Sequence, residues 1–306
     1  MKEYPLITII IPTHNRCEWL ERSIKYAFIH DYPNFEVVVS NNASTDNTIE
    51  LLTDLKFKYS NLRIVNHKEV LPLNIHWDTV IKEYTLGKYI MVIPDDDIII
   101  DSKYLSKAVR LFQRYSTVGI VFGNYRNINL KGEVIQEIRA NFNEFIKNDF
   151  MFENFNKELF GIKGIGIPHL TAVFSKDAYD KVNGFDFNCL SPDVYLWLKI
   201  MLYFDLAFCN NIVANYTIHK GNLSTTALPI GRYYDTLIPK KVKEISKDSK
   251  IDKSIINYTL RRMQFKFLKS YCRASLKFIK NNGINNIFRI KIKAFIKYFF
   301  LLFFKH

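Results

Sequence analysis

Three consecutive carboxylates, Asp95-Asp96-Asp97, stand directly after an apolar run over residues 89–93 and a proline, Pro94. Adjacent acids repel one another and resist desolvation, so a buried strand that ends in three of them requires a counter-ion. Mg²⁺ or Mn²⁺ meets that need, because these ions take a few carboxylate oxygens and keep positions open for a substrate's phosphates. An acidic turn open to water is the plain alternative. The position favours the ion, since ligands of open α/β sheets lie beyond the carboxyl ends of the strands.

Two more polar clusters follow strand-like runs. Residues 6–11 lead into Pro12-Thr13-His14-Asn15-Arg16, and residues 35–40 lead into Asn41-Asn42-Ala43-Ser44-Thr45-Asp46. Three clusters at neighbouring strand ends predict a nucleotide-sized crevice. Farther along, Asp193 precedes an apolar helical pattern (Leu196, Trp197, Ile200, Met201), where an acid also serves as a cap or dipole partner. His219 lies in a loop, a common place for a solvated histidine.

The elements that hold these clusters can be read from spacing. Trp19, Leu20, Ile24, Ala27 and Phe28 predict a helix after the first cluster. Asp46 and Thr48 are candidate caps for a second, through Leu51, Leu52 and Leu55. Residues 62–66 and 89–93 read as strands and 75–84 as a helix, so βαβ units and a largely parallel sheet follow. A helix over 102–115 and a strand over 118–122 come next. Residues 131–160 have no assignable period. A glycine-punctuated turn at 164–169 precedes an expected strand over 170–174.

Taken in order, Ile9-Ile10-Ile11-Pro12-Thr13-x-Asn15-Arg16, Val37-Val38-Val39-x-x-Asn42-Ala43-Ser44-Thr45-Asp46-Asn47-Thr48, and Gly87-Lys88-Tyr89-Ile90 running into Asp95-Asp96-Asp97 resemble the family-two inverting glycosyltransferases of GT-A fold. The likeness spans residues 5–225. It implies an α/β, Rossmann-like, mostly parallel sheet flanked by helices over residues 1–230, with a nucleotide-sugar half (1–100) and an acceptor half (101–230). By position, Pro12, Thr13, His14, Asn15, Arg16, Asn41, Asn42 and Ser44 would hold the donor nucleotide, and Asp95 the ribose or donor sugar. Asp96 would ligate Mn²⁺ or Mg²⁺, with Asp97 and His219 beside it. The segment Gly184-Phe185-Asp186 followed by Asp193 is similar to the family's stretch ending in the catalytic base, which takes the proton of an acceptor hydroxyl. Asp186 reads as structural. The chain departs from the family at His14 (usually Tyr) and Asn41 (usually Asp), which loosens the identity of the nucleotide base, and at Pro192 (usually Glu), where the aspartate that follows is retained as Asp193.

Of 43 basic residues thirteen lie between Lys253 and His306, where no acid occurs, so residues 1–252 hold 30 of each sign and the net +13 resides in the tail. This predicts a separate helical basic region over 231–306. Within it Arg289, Lys293 and Lys297 recur at steps of four, and the uncharged apolar run over residues 298–304 is far below the ~20 residues needed to span a bilayer. Such a helix suits the surface of an anionic membrane. Four dispersed cysteines and an opening without signal-peptide layout fit a cytoplasmic protein at the membrane's inner face. The expected partners are a nucleotide-diphosphate sugar and a glycan or lipid-linked acceptor. Two other classes compete. A sugar-phosphate nucleotidyltransferase would open with a glycine-rich phosphate loop, absent from 12–16. A nucleic-acid-binding protein would use the basic tail and leave Asp95-Asp96-Asp97 without purpose.

Overall fold

The structure, a computed structural model, describes residues 4–155, 166–222 and 228–282. β1 (Ile7–Thr13), α1 (Cys17–Ala27), β2 (Phe35–Asn41), α2 (Thr48–Lys58), β3 (Leu62–Asn66), α3 (Leu73–Tyr84) and β4 (Tyr89–Val92) alternate as the spacing predicts. β5 (Ile98–Ile99), α4 (Tyr104–Arg114), β6 (Val118–Ile128), β7 (Val134–Ile138), β8 (Phe145–Ile146) and α5 (Asn148–Asn154) follow. Then come β9 (Val173–Ser175), α6 (Lys176–Lys181), α7 (Pro192–Met201) and β10 (Asp205–Thr217). α8 (Pro229–Asp235), α9 (Ile238–Ile245) and α10 (Lys253–Asn282) complete the described elements.

One sheet runs β3-β2-β1-β4-β9-β6-β10-β5, with β7 paired to β6 and β8 to β10. The β3-β2-β1-β4 half is parallel, as is β6 with β10, while β9 runs antiparallel to both β4 and β6 and joins the two halves. Side chains alternate across each strand, so Ile7, Ile9 and Ile11 enter one core with α1, α2 and α4, and Ile10 enters the other with α3 and α7. Val37 and Val39 against Val38, and Met91 against Ile90 and Val92, divide the same way. Both faces are covered, which is why these strands read as unbroken apolar runs.

Register brings the polar clusters together. Thr13 pairs with Asn41, and Ile10 with both Val38 and Val92, so all three clusters leave the sheet at one edge. Gly87 sets the entry of β4: an added Cβ would lie 2.5 Å from the Thr8 backbone nitrogen. Its N–H instead donates to Thr8 Oγ1 (2.9 Å), which donates to the buried carboxylate of Glu36 (2.6 Å).

Three expectations change. The strand expected over 170–174 is a tight turn at His169–Thr171 followed by β9, because Thr171 Oγ1 donates to Gly123 O (3.1 Å) instead of extending. The unassigned stretch after Lys131 holds β7, which closes a local hairpin on β6, then β8, which pairs with β10 about 60 residues on, and α5. The basic region expected to be separate from residue 231 is part of the body: Ile238, Val242, Ile256, Leu260 and Met263 share a core with Trp197 and Leu198 of α7. Its stretch with Arg289, Lys293 and Lys297 lies outside the described residues, as do residues 164 and 165 of the glycine turn.

Candidate active site

The acidic triplet is clamped from three sides. Thr13 Oγ1, at the end of β1, donates to Asp95 Oδ2 (2.8 Å). Arg16, at the start of α1, reaches Asp95 Oδ1 (3.1 Å) and Asp96 Oδ2 (2.8 Å) with one guanidinium nitrogen. From beyond β10, His219 Nε2 meets the same Asp96 oxygen at 2.9 Å. Arg22 and Thr217 hold the Asp96 carbonyl (both 2.6 Å), and the Thr217 N–H donates to Asp97 Oδ1 (2.8 Å). Burial pushes the Asp95 carboxyl up to about 6, partly offset by Arg16. Fully buried Asp97 is raised well above the usual carboxylate range by burial and then by Asp96.

The tautomer of His219 follows from its neighbours. Its Nδ1 accepts the Gly221 N–H (3.1 Å), so Nε2 carries the proton and donates to Asp96, while the ring stacks on Trp19 at 5.0 Å. A nitrogen holding a proton has no lone pair for a metal. As placed, the two residues expected at the ion make other bonds, His219 to Asp96 and Asp97 to the Thr217 N–H of β10, and among the described residues no group of three His, Cys, Asp or Glu is disposed to hold a metal. Asp96 still fits Mg²⁺ or Mn²⁺, which need one or two carboxylates plus phosphates. The guanidinium of Arg16 on its Oδ2 shows that the spot accommodates positive charge.

A cleft of about 480 Å³ opens above this edge, within the range of small-ligand sites. Pro12, Thr13, His14, Arg16, Asn42, Asp95, Asp96 and Asp97 line it, and so does Asp193. His14 Nδ1 donates to Asn42 O (2.8 Å), and Asn42 exchanges two hydrogen bonds with the Leu71 backbone (2.9 and 3.0 Å). Asn15, Asn41 and Ser44 do not line the cleft; they brace the loops behind it. Asn41 accepts from Ser44 N–H and donates to Asn66 (both 3.0 Å), and Ser44 Oγ accepts from Asn15 N–H (2.9 Å). Asn15 and Ala43 are both left-handed, with φ of 52° and 55°. Asp46 bridges helix starts rather than capping one, taking Cys17 N–H and Thr48 N–H on its two oxygens.

Asp193 sits in the first turn of α7, after Ser191 and Pro192. Its turn is held by a residue that spacing did not single out, Asp235 of α8. That carboxylate accepts the Leu190 N–H, the Ser191 N–H and the Ser191 hydroxyl, each at 2.9 Å. Burial raises the Asp235 carboxyl to about 6 against the pull of those donors. Beside Asp193, His169 stacks on Trp77 at 4.7 Å, its imidazole pushed down by burial and partly restored by the Asp193 charge. No sequence signal marked Trp77, His169 or Asp235, since each gains meaning only through a partner on another element. Asp186 is structural as expected, bonded to fully buried Lys199 at 2.6 Å.

Residues 8–182 match Glycosyl transferase family 2. Over 244 residues, 78% of this chain and 87% of the relative, the sequence is 25% identical to the UDP-Glc:alpha-D-GlcNAc-diphosphoundecaprenol beta-1,3-glucosyltransferase WfgD of Escherichia coli. Other relatives are longer, and the chain spans 21% of chondroitin synthase of Pasteurella multocida. The S. aureus TarS 1–349 structure in complex with UDP-GlcNAc superposes with a TM-score of 0.65 at 14% identity, covering 88% of this chain and 81% of that one. The mannosyltransferase PcManGT of Pyrobaculum calidifontis, in complex with GDP-Man and Mn²⁺, gives 0.62 at 18% identity, with 98% and 81% covered. At such identity these two likenesses speak for the fold.

Proposed function

The chain belongs to glycosyl transferase family 2 and is a glycosyltransferase of GT-A fold, and from that premise we propose that it moves a sugar from a nucleoside-diphosphate donor onto a hydroxyl of a lipid-linked glycan, with inversion, in surface polysaccharide synthesis. One observation carries the reading: Asp96 and Asp193 line a single cleft, together with Pro12, Thr13, His14 and Arg16. The nucleotidyltransferase alternative falls with the family assignment.

Thr13, His14 and the Asn42 backbone form the nucleotide end, and Arg16 and Asp95 face the donor's diphosphate and sugar. Asp96 would hold Mn²⁺ or Mg²⁺, an ion that when bound neutralises charge on the departing diphosphate. Asp193 removes the proton from the acceptor hydroxyl as its oxygen attacks the anomeric carbon, and the nucleoside diphosphate leaves from the opposite face. The Asp235 carboxylate fixes the turn that aims Asp193, and the Trp77–His169 pair walls the acceptor side. A lipid-linked acceptor is supported by WfgD, whose name specifies a diphosphoundecaprenol substrate.

Among the described residues no helix is long and apolar enough to cross a membrane. Peripheral attachment at the inner face is supported by α10, whose exposed Lys266, Lys269, Arg273, Lys277 and Lys280 recur at steps of three and four. The catalytic unit in this reading runs from the N-terminus through α8, since Asp235 is needed at the site. A thermal-shift screen of UDP- and GDP-sugars, with and without Mn²⁺, tests the reading, because ligands that bind the folded state raise its melting temperature. The expected result is a donor-dependent rise that Mn²⁺ enlarges and Asp96→Ala abolishes. No shift with any nucleotide sugar would refute it.

A further inference from the structure

Asp96 Oδ2 already receives two donors, Arg16 Nη1 at 2.8 Å and the Nε2–H of His219 at 2.9 Å. The other Arg16 nitrogen, Nη2, donates to Gly221 O (3.2 Å), so this side chain ties the start of α1 to the turn that carries His219. Its backbone is fixed independently: Asn15 before it is held by Ser44 and Thr45, and Trp19 N–H and Leu20 N–H bond to Arg16 O. The guanidinium, by contrast, ends a long stem and is about one-third exposed (32%). A divalent ion bound at ordinary carboxylate distance from the same oxygen would press against a like charge. Arg16 and a metal therefore compete for that oxygen of Asp96.

We infer that Arg16 is the resident counter-ion of the acidic triplet, holding Asp95 and Asp96 until a divalent cation arrives with a nucleoside diphosphate, and then exchanging the carboxylates for the diphosphate. This rests on the donor reading above and extends it. Two properties follow. The ion alone binds weakly, because it must displace Arg16 without offering that residue a new partner. The ion together with a nucleoside diphosphate binds tightly, because the incoming phosphates repair the guanidinium's lost contacts, and linkage makes the effect reciprocal.

The test measures Mn²⁺ binding to the full chain by loss of the free-ion paramagnetic resonance signal, alone and with UDP or GDP. The native protein, Arg16→Gln and Arg16→Lys are compared, with circular dichroism to confirm folding. Arg16→Gln is expected to bind Mn²⁺ alone roughly 10- to 100-fold more tightly than the native chain, the scale of lost charge-assisted hydrogen bonds. In that variant the nucleotide should add far less to Mn²⁺ affinity than it does in the native chain. Arg16→Lys, which keeps a cation on a similar stem, should stay near the native value and serves as the folded control. Equal or weaker Mn²⁺ affinity in Arg16→Gln would overturn the exchange while leaving the donor reading intact. No Mn²⁺ binding by any of the three, with or without nucleotide, would overturn the metal reading and the exchange together.

Discussion

Residue type carried the site when its chemistry was local in sequence. Three adjacent acids after a buried strand, and an acid ahead of an apolar helix, could be recognised from spacing, and the fold lines one cleft with both. Asn41, Ser44 and Asn15 differ, because their amides and hydroxyl bond to one another and to Asn66, partners on other loops that spacing does not reveal. The acids also show why an unpaired-charge argument from sequence is incomplete, since Arg16, 80 residues from Asp96 along the chain, supplies a positive charge. Asp193 separates the roles within the cleft. Asp193→Asn keeps size and hydrogen bonding but cannot take a proton, so transfer should fall about 10²- to 10⁴-fold. The thermal shift produced by donor nucleotide should persist. Loss of that shift would place Asp193 in donor binding, and full transfer would remove it as the base.

Elements position these residues through a few buried polar contacts, and those contacts can be tested without touching substrate. Lys199 of α7, fully buried, donates to Val182 O (2.8 Å), Gly184 O (2.6 Å) and Asp186 (2.6 Å), pinning the turn before α7 to the helix. Lys199→Met leaves those carbonyls unpaired and should lower unfolding stability by roughly 2–4 kcal/mol in urea titration. A loss below about 1 kcal/mol, the scale of an exposed ion pair, would show that water replaces the ammonium. Asp235 gives a pH test. Its folded carboxyl titrates near 6, above its unfolded value, so its contribution to stability is full below about pH 4 and is lost as pH rises through 6. Between pH 5 and 7 that loss is about 1 kcal/mol, which Asp235→Asn should remove from the native slope. Identical slopes in the two proteins would exclude Asp235 as its source. The βαβ half that frames these contacts was legible because each element carries its own period. β9 and β8 were not, because a hydroxyl from Thr171 and pairing with the distant β10 decide them.

At the scale of the whole molecule, charge and packing give different pictures of the same segment. The excess of Lys and Arg after residue 252 was plain in the sequence and suggested an appendage. The apolar stripe of α10 was masked by those charges, yet Ile256, Leu260 and Met263 complete the core against α7, and Leu268, Tyr271 and Cys272 are also buried. The two readings are compatible, because a helix can bury one face and present a basic one. Truncation is consequently a poor test of membrane attachment, since removing α10 would uncover the core and lower stability whether or not a membrane is ever bound. Charge removal on the outer face avoids this. Lys269, Arg273, Lys277 and Lys280 are exposed, so changing all four to Gln should leave the melting temperature within a few degrees of native. If this face meets an anionic surface, each charge is worth about 1 kcal/mol, and four together should weaken binding to phosphatidylserine vesicles by roughly 10²- to 10³-fold at low salt. Raising the ionic strength should erase most of the difference, because the attraction acts within a Debye length. Unchanged vesicle binding in the folded variant would remove this face of α10 from the membrane reading and leave the catalytic assignment as it stands.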